Sequence, residues 1–238
     1  MRYLIRMSYD GSLFHGFQRQ QNEKNVQSKV EDALQKILNE KIEIKGAGRT
    51  DAKVHALSQT AHFDTTQKLP INFLKRLNKE LHEEIKIKSI KKVSNNFHAR
   101  FSVKEKKYRY LINFNKNKKN DNYYFTSYYD LDINKMKEVS RIFLGTHDFE
   151  AFVSGYREDY TTHIYKITFR KKSNMLIIEF VGTGFYRYMI RHLVGALYDV
   201  GRHKKNKSDI LKKLNKEDIT IGTTVMPAYG LYLVNVKY

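Results

Sequence analysis

Along most of this chain, stretches in which apolar and polar residues alternate are separated by stretches in which apolar residues recur every three to four positions. The first period belongs to strands with one buried face, the second to helices. Residues 3–9 read as an opening strand. In "VQSKVEDALQKIL" (26–38), Val26, Val30, Ala33, Leu34, Ile37 and Leu38 fall on one side of a helix. "KIEIKG" (41–46) alternates as a strand, and "SQTAHFDT" (58–65) alternates again with Ala61 and Phe63 on one side. Pro70 stands where a helix start tolerates proline, and Ile71, Leu74, Leu77 and Leu81 form the stripe of the helix that follows. "EIKIKSIKKV" (84–93) and "KKYRYLINF" (106–114) return to strand.

A basic, asparagine-rich stretch, "NKNKKNDN" (115–122), breaks the pattern and reads as an exposed loop. Beyond it the order recurs. A helix is expected within 132–144, ended by Gly145, with strands near 161–170 and 174–181. "FYRYMIRHLVGALYDVG" (185–201) follows, a helix that brings Tyr188, Arg191, His192, Gly195 and Tyr198 near one another and that Gly201 ends. "SDILKKLN" (208–215) is a short helix begun by Ser208, and "GLYLVNVKY" (230–238) closes the chain as a strand. Two halves of similar content, residues 1–103 and 104–238, predict an α+β protein with antiparallel or mixed sheets and helices packed on them.

Composition then narrows the function. The chain has 238 residues, enough for one large domain or two small ones. No stretch approaches the eighteen or so apolar residues of a membrane helix, and the opening strand lacks a cleavage site, so a cytoplasmic protein is expected. Cysteine is absent, which excludes disulfides, thiolate catalysis and cysteine zinc sites. The 44 Lys and Arg against 25 Asp and Glu leave a net charge of +19, a balance that points to a polyanionic partner. Seventeen tyrosines and fourteen phenylalanines offer faces on which unpaired bases stack.

The chemistry concentrates in "GAGRTDAKVHAL" (46–57). Its glycines fit neither phosphate-binding fingerprint: the third glycine of a dinucleotide motif would fall at Asp51, and no Gly-Lys-Ser/Thr follows. They are expected to let the backbone turn sharply at a strand end. Asp51 itself reads three ways: the working carboxylate of a site, a helix cap, or a polar loop residue. Arg191 lies among Met189, Ile190, Leu193 and Val194, where an unpaired charge is costly, so it needs a partner; Asp51 is one candidate. The histidines are too scattered for a metal site. His55 falls in the loop and His62 shares a strand face with Asp64, while "HEEIK" (82–86) lacks the second histidine of a zinc-hydrolase helix.

Taken together, "YDGSLFHGFQRQ" (9–20), "VQSKVEDAL" (26–34), "GAGRTDAKVHAL", "NFHARFSVKEKKYRYLI" (96–112), "GTHDFEAF" (145–152), "FYRYMIRHLVGAL" (185–197) and "GLYLVNVKY" resemble the tRNA pseudouridine synthase A family, in the family's order and over nearly the whole chain. The resemblance implies two similar α+β halves around a basic cleft, a homodimer, no cofactor or metal, and isomerisation of uridine to pseudouridine on the 3′ side of the tRNA anticodon stem-loop. It implies Asp51 as the carboxylate that attacks the sugar or takes a proton from it, Tyr108 as the ring against the target base, and Arg191 as the aspartate's ion-pair partner. Arg49 would hold RNA around the flipped nucleotide and Leu231 would pack beneath the base, with His15, Gln18, Arg19 and His55 also on the RNA side. Lys53 stands where the family usually has glycine, and His192 where it usually has asparagine, which bears on RNA choice and loop geometry. The same chemistry on ribosomal RNA and a non-catalytic RNA-binding module are the rival readings.

Overall fold

The structure is a computed structural model that describes residues 1–115 and 122–238; the basic residues 116–121 of the expected loop lie outside the described residues. The chain forms two compact α+β units, one of residues 1–104 with 232–238, the other of residues 105–231.

In the first unit, β1 (Arg2–Tyr9) buries Tyr3, Ile5, Met7 and Tyr9, every second residue, as a one-faced strand should. It pairs antiparallel with β3 (His55–Asp64) on one side and β4 (Ile85–Val93) on the other. The short strand β2 (Lys45–Gly46) also joins β3. The alternation of 41–46 is real, since Ile42 and Ile44 are buried, but only its end enters the sheet. The C-terminal strand β10 (Leu231–Lys237), expected in the second half, runs parallel to β3 with Tyr232 opposite His55. Residues 232–238 thus group with the first unit rather than with the second half of the chain.

Helix α1 (Val26–Leu38) begins where the Asn25 side chain accepts the Ser28 N–H at 2.8 Å and ends at Asn39 in the left-handed conformation. Its stripe buries Val26, Val30, Ala33, Leu34 and Leu38; cutting Leu34 back to alanine would cost about 2–5 kcal/mol. Helix α2 (Phe73–Glu80) departs from expectation. Its buried side chains are Phe73 and Leu77, while Ile71 is 89% exposed and precedes the helix. Leu77 and Leu81 of the expected stripe face the core, but Phe73 takes the place given to Ile71 and to Leu74, which is also exposed.

The second unit carries β5 (Glu105–Asn113), β7 (Gly145–Asp148), β8 (Thr161–Lys172) and β9 (Met175–Gly182) in the antiparallel order β5-β9-β8-β7, and β6 (Phe125–Thr126) lies parallel to β5. Helices α3 (Ile133–Ser140), α4 (Met189–Gly201) and α5 (Lys207–Leu214) complete it. Gly145 has φ +94 and marks the exit from the α3 region. Gly201, in contrast, is the last helical residue rather than a left-handed terminator. A Cβ there would meet the Met136 sulfur at 2.7 Å, so glycine serves the close packing of α4 on α3. Helix α5 starts two residues earlier than expected: Asn206 caps it in a reciprocal box with Asp209, and Ser208 lies inside.

Candidate active site

In the first unit the Asp51 loop is clamped against the loop after β1. The Thr50 carbonyl accepts the Phe17 N–H at 3.1 Å and the Phe14 carbonyl accepts the Lys53 N–H at 3.3 Å. Gly16, at φ +101, passes so close that a Cβ would lie 2.8 Å from the Thr50 oxygen, which makes glycine obligatory on two counts. Below, the buried Tyr9 hydroxyl bonds to Thr50 Oγ1 at 2.8 Å, and burial pushes the phenol up to about 12, so it stays protonated. Gln59 Nε2 donates to the Gly48 carbonyl at 3.0 Å. Gly46 makes room for the Phe17 ring, 2.6 Å from where its Cβ would be, and has no positive φ; the expected sharp turn is a close approach instead.

Asp51 is half-buried, and its carbonyl accepts the Val54 N–H at 3.1 Å to close the turn into β3. No helix starts there, which removes the capping reading. Lys53 occupies the left-handed region at φ 65, the geometry that glycine adopts without strain. His55 is not in the loop: it is the first residue of β3, buried, stacked on Tyr232 at 4.5 Å, with Nδ1 accepting the Gly11 N–H at 3.0 Å. This is the geometry of a residue that holds a loop. Arg49 is exposed. His15 is exposed beside Glu23 at 3.1 Å, and Gln18 is half-buried. Arg19 reaches the buried Glu31 carboxylate, and its backbone N–H donates to Gln27 Oε1 at 3.0 Å.

In the second unit one face of α4 grips a strap of chain. Residues 191, 195 and 199 are one helical row, and each holds the segment 224–226. Arg191 Nε donates to the Met226 carbonyl at 2.6 Å, and the Met226 N–H returns to the Arg191 carbonyl at 3.2 Å. At Gly195 a Cβ would sit 1.6 Å from the Thr224 oxygen, so the strap lies directly on the helix backbone. The fully buried Asp199 carboxylate accepts the Thr224 N–H at 2.7 Å and the Thr224 hydroxyl at 2.8 Å, and pairs with Arg202 at 2.9 Å. The Arg191 guanidinium also lies 4.4 Å from the Tyr188 ring, whose other neighbour is the Arg187 guanidinium at 5.0 Å. Tyr188 holds this position in a left-handed conformation at φ 62, which costs a non-glycine residue about 1–2 kcal/mol.

Tyr108 and Tyr110 share a face of β5, and both are buried. Tyr110 is fully buried, donates its hydroxyl to the Pro227 carbonyl at 2.8 Å, and lies where Gly230 has no side chain. Burial raises its phenol well above the ordinary tyrosine value. Tyr108 meets the Phe185 ring edge-on at 5.4 Å. Leu231, buried, follows Gly230 directly. His192 is half-buried, with its imidazole pushed below the usual value by burial and by Lys213 and Arg191. Among the described residues no group of three His, Asp or Glu side chains is placed to hold a metal ion, and no helix is long and apolar enough to cross a membrane.

Gly16 and Asp199 are the functional positions that sequence patterning misses. An aspartate inside the apolar run "GALYDVG" was the available signal for the second; the first had none, since its partner is far along the chain.

A sequence profile described as tRNA pseudouridine synthase matches residues 5–102 and 139–238. The chain is 35% identical over 240 residues to the tRNA pseudouridine synthase A of Exiguobacterium sp., covering 100% of this chain and 98% of that protein. It is 38% identical over 246 residues to the protein of the same name from Lactobacillus helveticus, covering 100% and 94%. The Bacillus licheniformis protein of that name is 37% identical over 245 residues, covering 100% and 99%. The chain belongs to the tRNA pseudouridine synthase family.

Proposed function

We propose that this protein isomerises uridine to pseudouridine in tRNA, at the 3′ side of the anticodon stem-loop, as a cytoplasmic homodimer. The observation that carries the reading is an aspartate displayed by a loop clamped from both sides, in a chain related to named synthases over its full length. The N1–C1′ bond of the flipped uridine breaks, the uracil turns, C5 bonds to C1′, and as C5 gives up its proton N1 takes one up. Atoms and electrons balance within one nucleotide, so the reaction calls for no cofactor. Asp51 engages the sugar, by attack or by deprotonation. Arg191, always charged, is the ion-pair partner that fixes the carboxylate. Tyr108 supports the base and relays the C5 proton, its hydroxyl passing one proton on as it receives another. What favours Tyr108 over Tyr110 is the family resemblance of the stretch "KKYRYLI", in which Tyr108 holds the place of the base-supporting tyrosine. Leu231 packs beneath the base, and Arg49 with His15, Gln18 and Arg19 meets the RNA, while His55 serves by holding the loop. The +19 charge supports a polyanionic substrate.

The test is tritium release from an anticodon stem-loop carrying [5-³H]uridine, with parallel affinity measurements. Asp51→Asn should abolish release and leave affinity within about ten-fold, since one carboxylate contributes little among many cationic contacts. Release near the parental rate would make Asp51 a structural loop residue.

A further inference from the structure

We propose that the loop 154–160 is a stacking platform for an unpaired base of the RNA, with Tyr156 as the platform's ring; this rests on the RNA-modifying reading above. Tyr156 is 91% exposed, the most exposed large apolar side chain among the described residues. The loop that displays it is built rather than slack. The Tyr160 hydroxyl accepts the Arg157 N–H at 2.8 Å and donates to the Gly155 carbonyl at 3.2 Å, so one side chain closes the turn on both sides of Tyr156. Gly155 supplies the turn at φ +93. The Asp159 carboxylate is turned back to accept the Thr161 N–H at 2.7 Å, where β8 begins. The Ser154 N–H donates to the Arg187 carbonyl at 3.1 Å, which ties the loop to the segment leading into α4. Arg157 lies 4.9 Å over the Tyr186 ring, and Tyr160 meets that ring at 6.2 Å.

Gly155, Arg157, Asp159 and Tyr160 thus each have a holding task, and the Tyr156 ring is held out into solvent. A single ring is too small for a protein interface, which needs about 800 Å² a side. An aromatic face next in sequence to the exposed Arg157, on a loop tied through Ser154 to the backbone of the exposed Arg187, suits a base with its phosphate.

The chain contains no tryptophan, so Tyr156→Trp installs a sole indole at this position. Titration with the anticodon stem-loop should quench its emission, and a fully paired RNA duplex should not. Tyr156→Ala should weaken stem-loop binding about ten-fold, within the range of one lost base stack, and Tyr156→Phe should bind within about two-fold of the parent. Unchanged emission at saturation together with parental affinity for Tyr156→Ala would overturn the proposal. So would emission that shifts with protein concentration in the absence of RNA, which would assign the ring to a contact between copies. Turnover by the unmodified protein is scored separately. Turnover without quenching removes the platform and keeps the synthase reading; quenching without turnover does the reverse.

Discussion

Replacing Gly195 by alanine tests whether the strap over α4 is held as tightly as its geometry states. The new Cβ would lie 1.6 Å from the Thr224 oxygen, which is backbone and has no torsion of its own with which to turn away. Restoring ordinary contact moves the strap by about 2 Å. That motion breaks the Asp199 bonds to Thr224 at 2.7 and 2.8 Å and strains the Arg191–Met226 pair at 2.6 Å. Hydrogen bonds to charged groups contribute about 1.5–3 kcal/mol each, while alanine gains about 1 kcal/mol over glycine within a helix. The expected net loss is about 2–5 kcal/mol, read as a fall in the urea midpoint. Turnover should fall further than stability explains, because Met226 orients the Arg191 side chain. Gly201→Ala is the control on the same helix: its Cβ crowds only side-chain atoms, the flexible Met136 at 2.7 Å and the Leu131 Cβ at an ordinary 3.4 Å, so the change should stay within about 1 kcal/mol. Equal midpoints for the two variants would refute the reasoning.

Other expectations follow from single positions. Lys53→Gly relieves a left-handed lysine at φ 65 at the entropic cost of a glycine, so thermal unfolding should show a gain of about 0.5–1 kcal/mol. His62 is buried, which pushes its imidazole down to about 4, with Arg2 adding to the effect. The unfolded chain therefore binds more protons below its own value near 6.5; the stability from a neutral His62 is full above that pH and is lost as pH falls toward 4. Urea unfolding at pH 7 and 5 should differ by about 2 kcal/mol from this group, and His62→Gln should flatten that part of the dependence. Tyr108→Phe should slow single-turnover isomerisation about a hundred-fold if its hydroxyl relays the C5 proton. Tyr110→Phe should chiefly cost stability, about 1 kcal/mol, for the bond lost to Pro227. A larger kinetic loss at Tyr110 would reverse the assignment.

Local periodicity made β1, α1 and the α4 segment legible, because in each the buried face repeats at the element's own spacing. For α2 it held only in part: Leu77 and Leu81 of the expected stripe are buried, while Ile71 and Leu74 are exposed and Phe73 packs in their place. Glycines were misjudged for a related reason. Gly46 and Gly201 look like turn makers in sequence, yet both exist to admit a neighbouring side chain, Phe17 and Met136. His55 and the strand 231–237 were misplaced because their partners lie far away in the chain. The motif around Asp51 reads as a candidate site from sequence, whereas its clamp by residues 14–17 and the grip of Asp199 on Thr224 depend on long-range contacts that no local pattern encodes.

The clamp on the Asp51 loop has a thermodynamic consequence for substrate recognition. Ordering a backbone residue costs about 1–2 kcal/mol in lost conformational freedom. For residues 47–54 that loss is incurred when the protein folds, through bonds to Phe14, Phe17 and Thr60 that are already formed without RNA. The loop therefore subtracts little from the free energy of association. With Asp51 in its proposed role, rearrangement at this step falls on the nucleic acid, whose uridine must unstack to meet a carboxylate on a backbone that is already bonded in place.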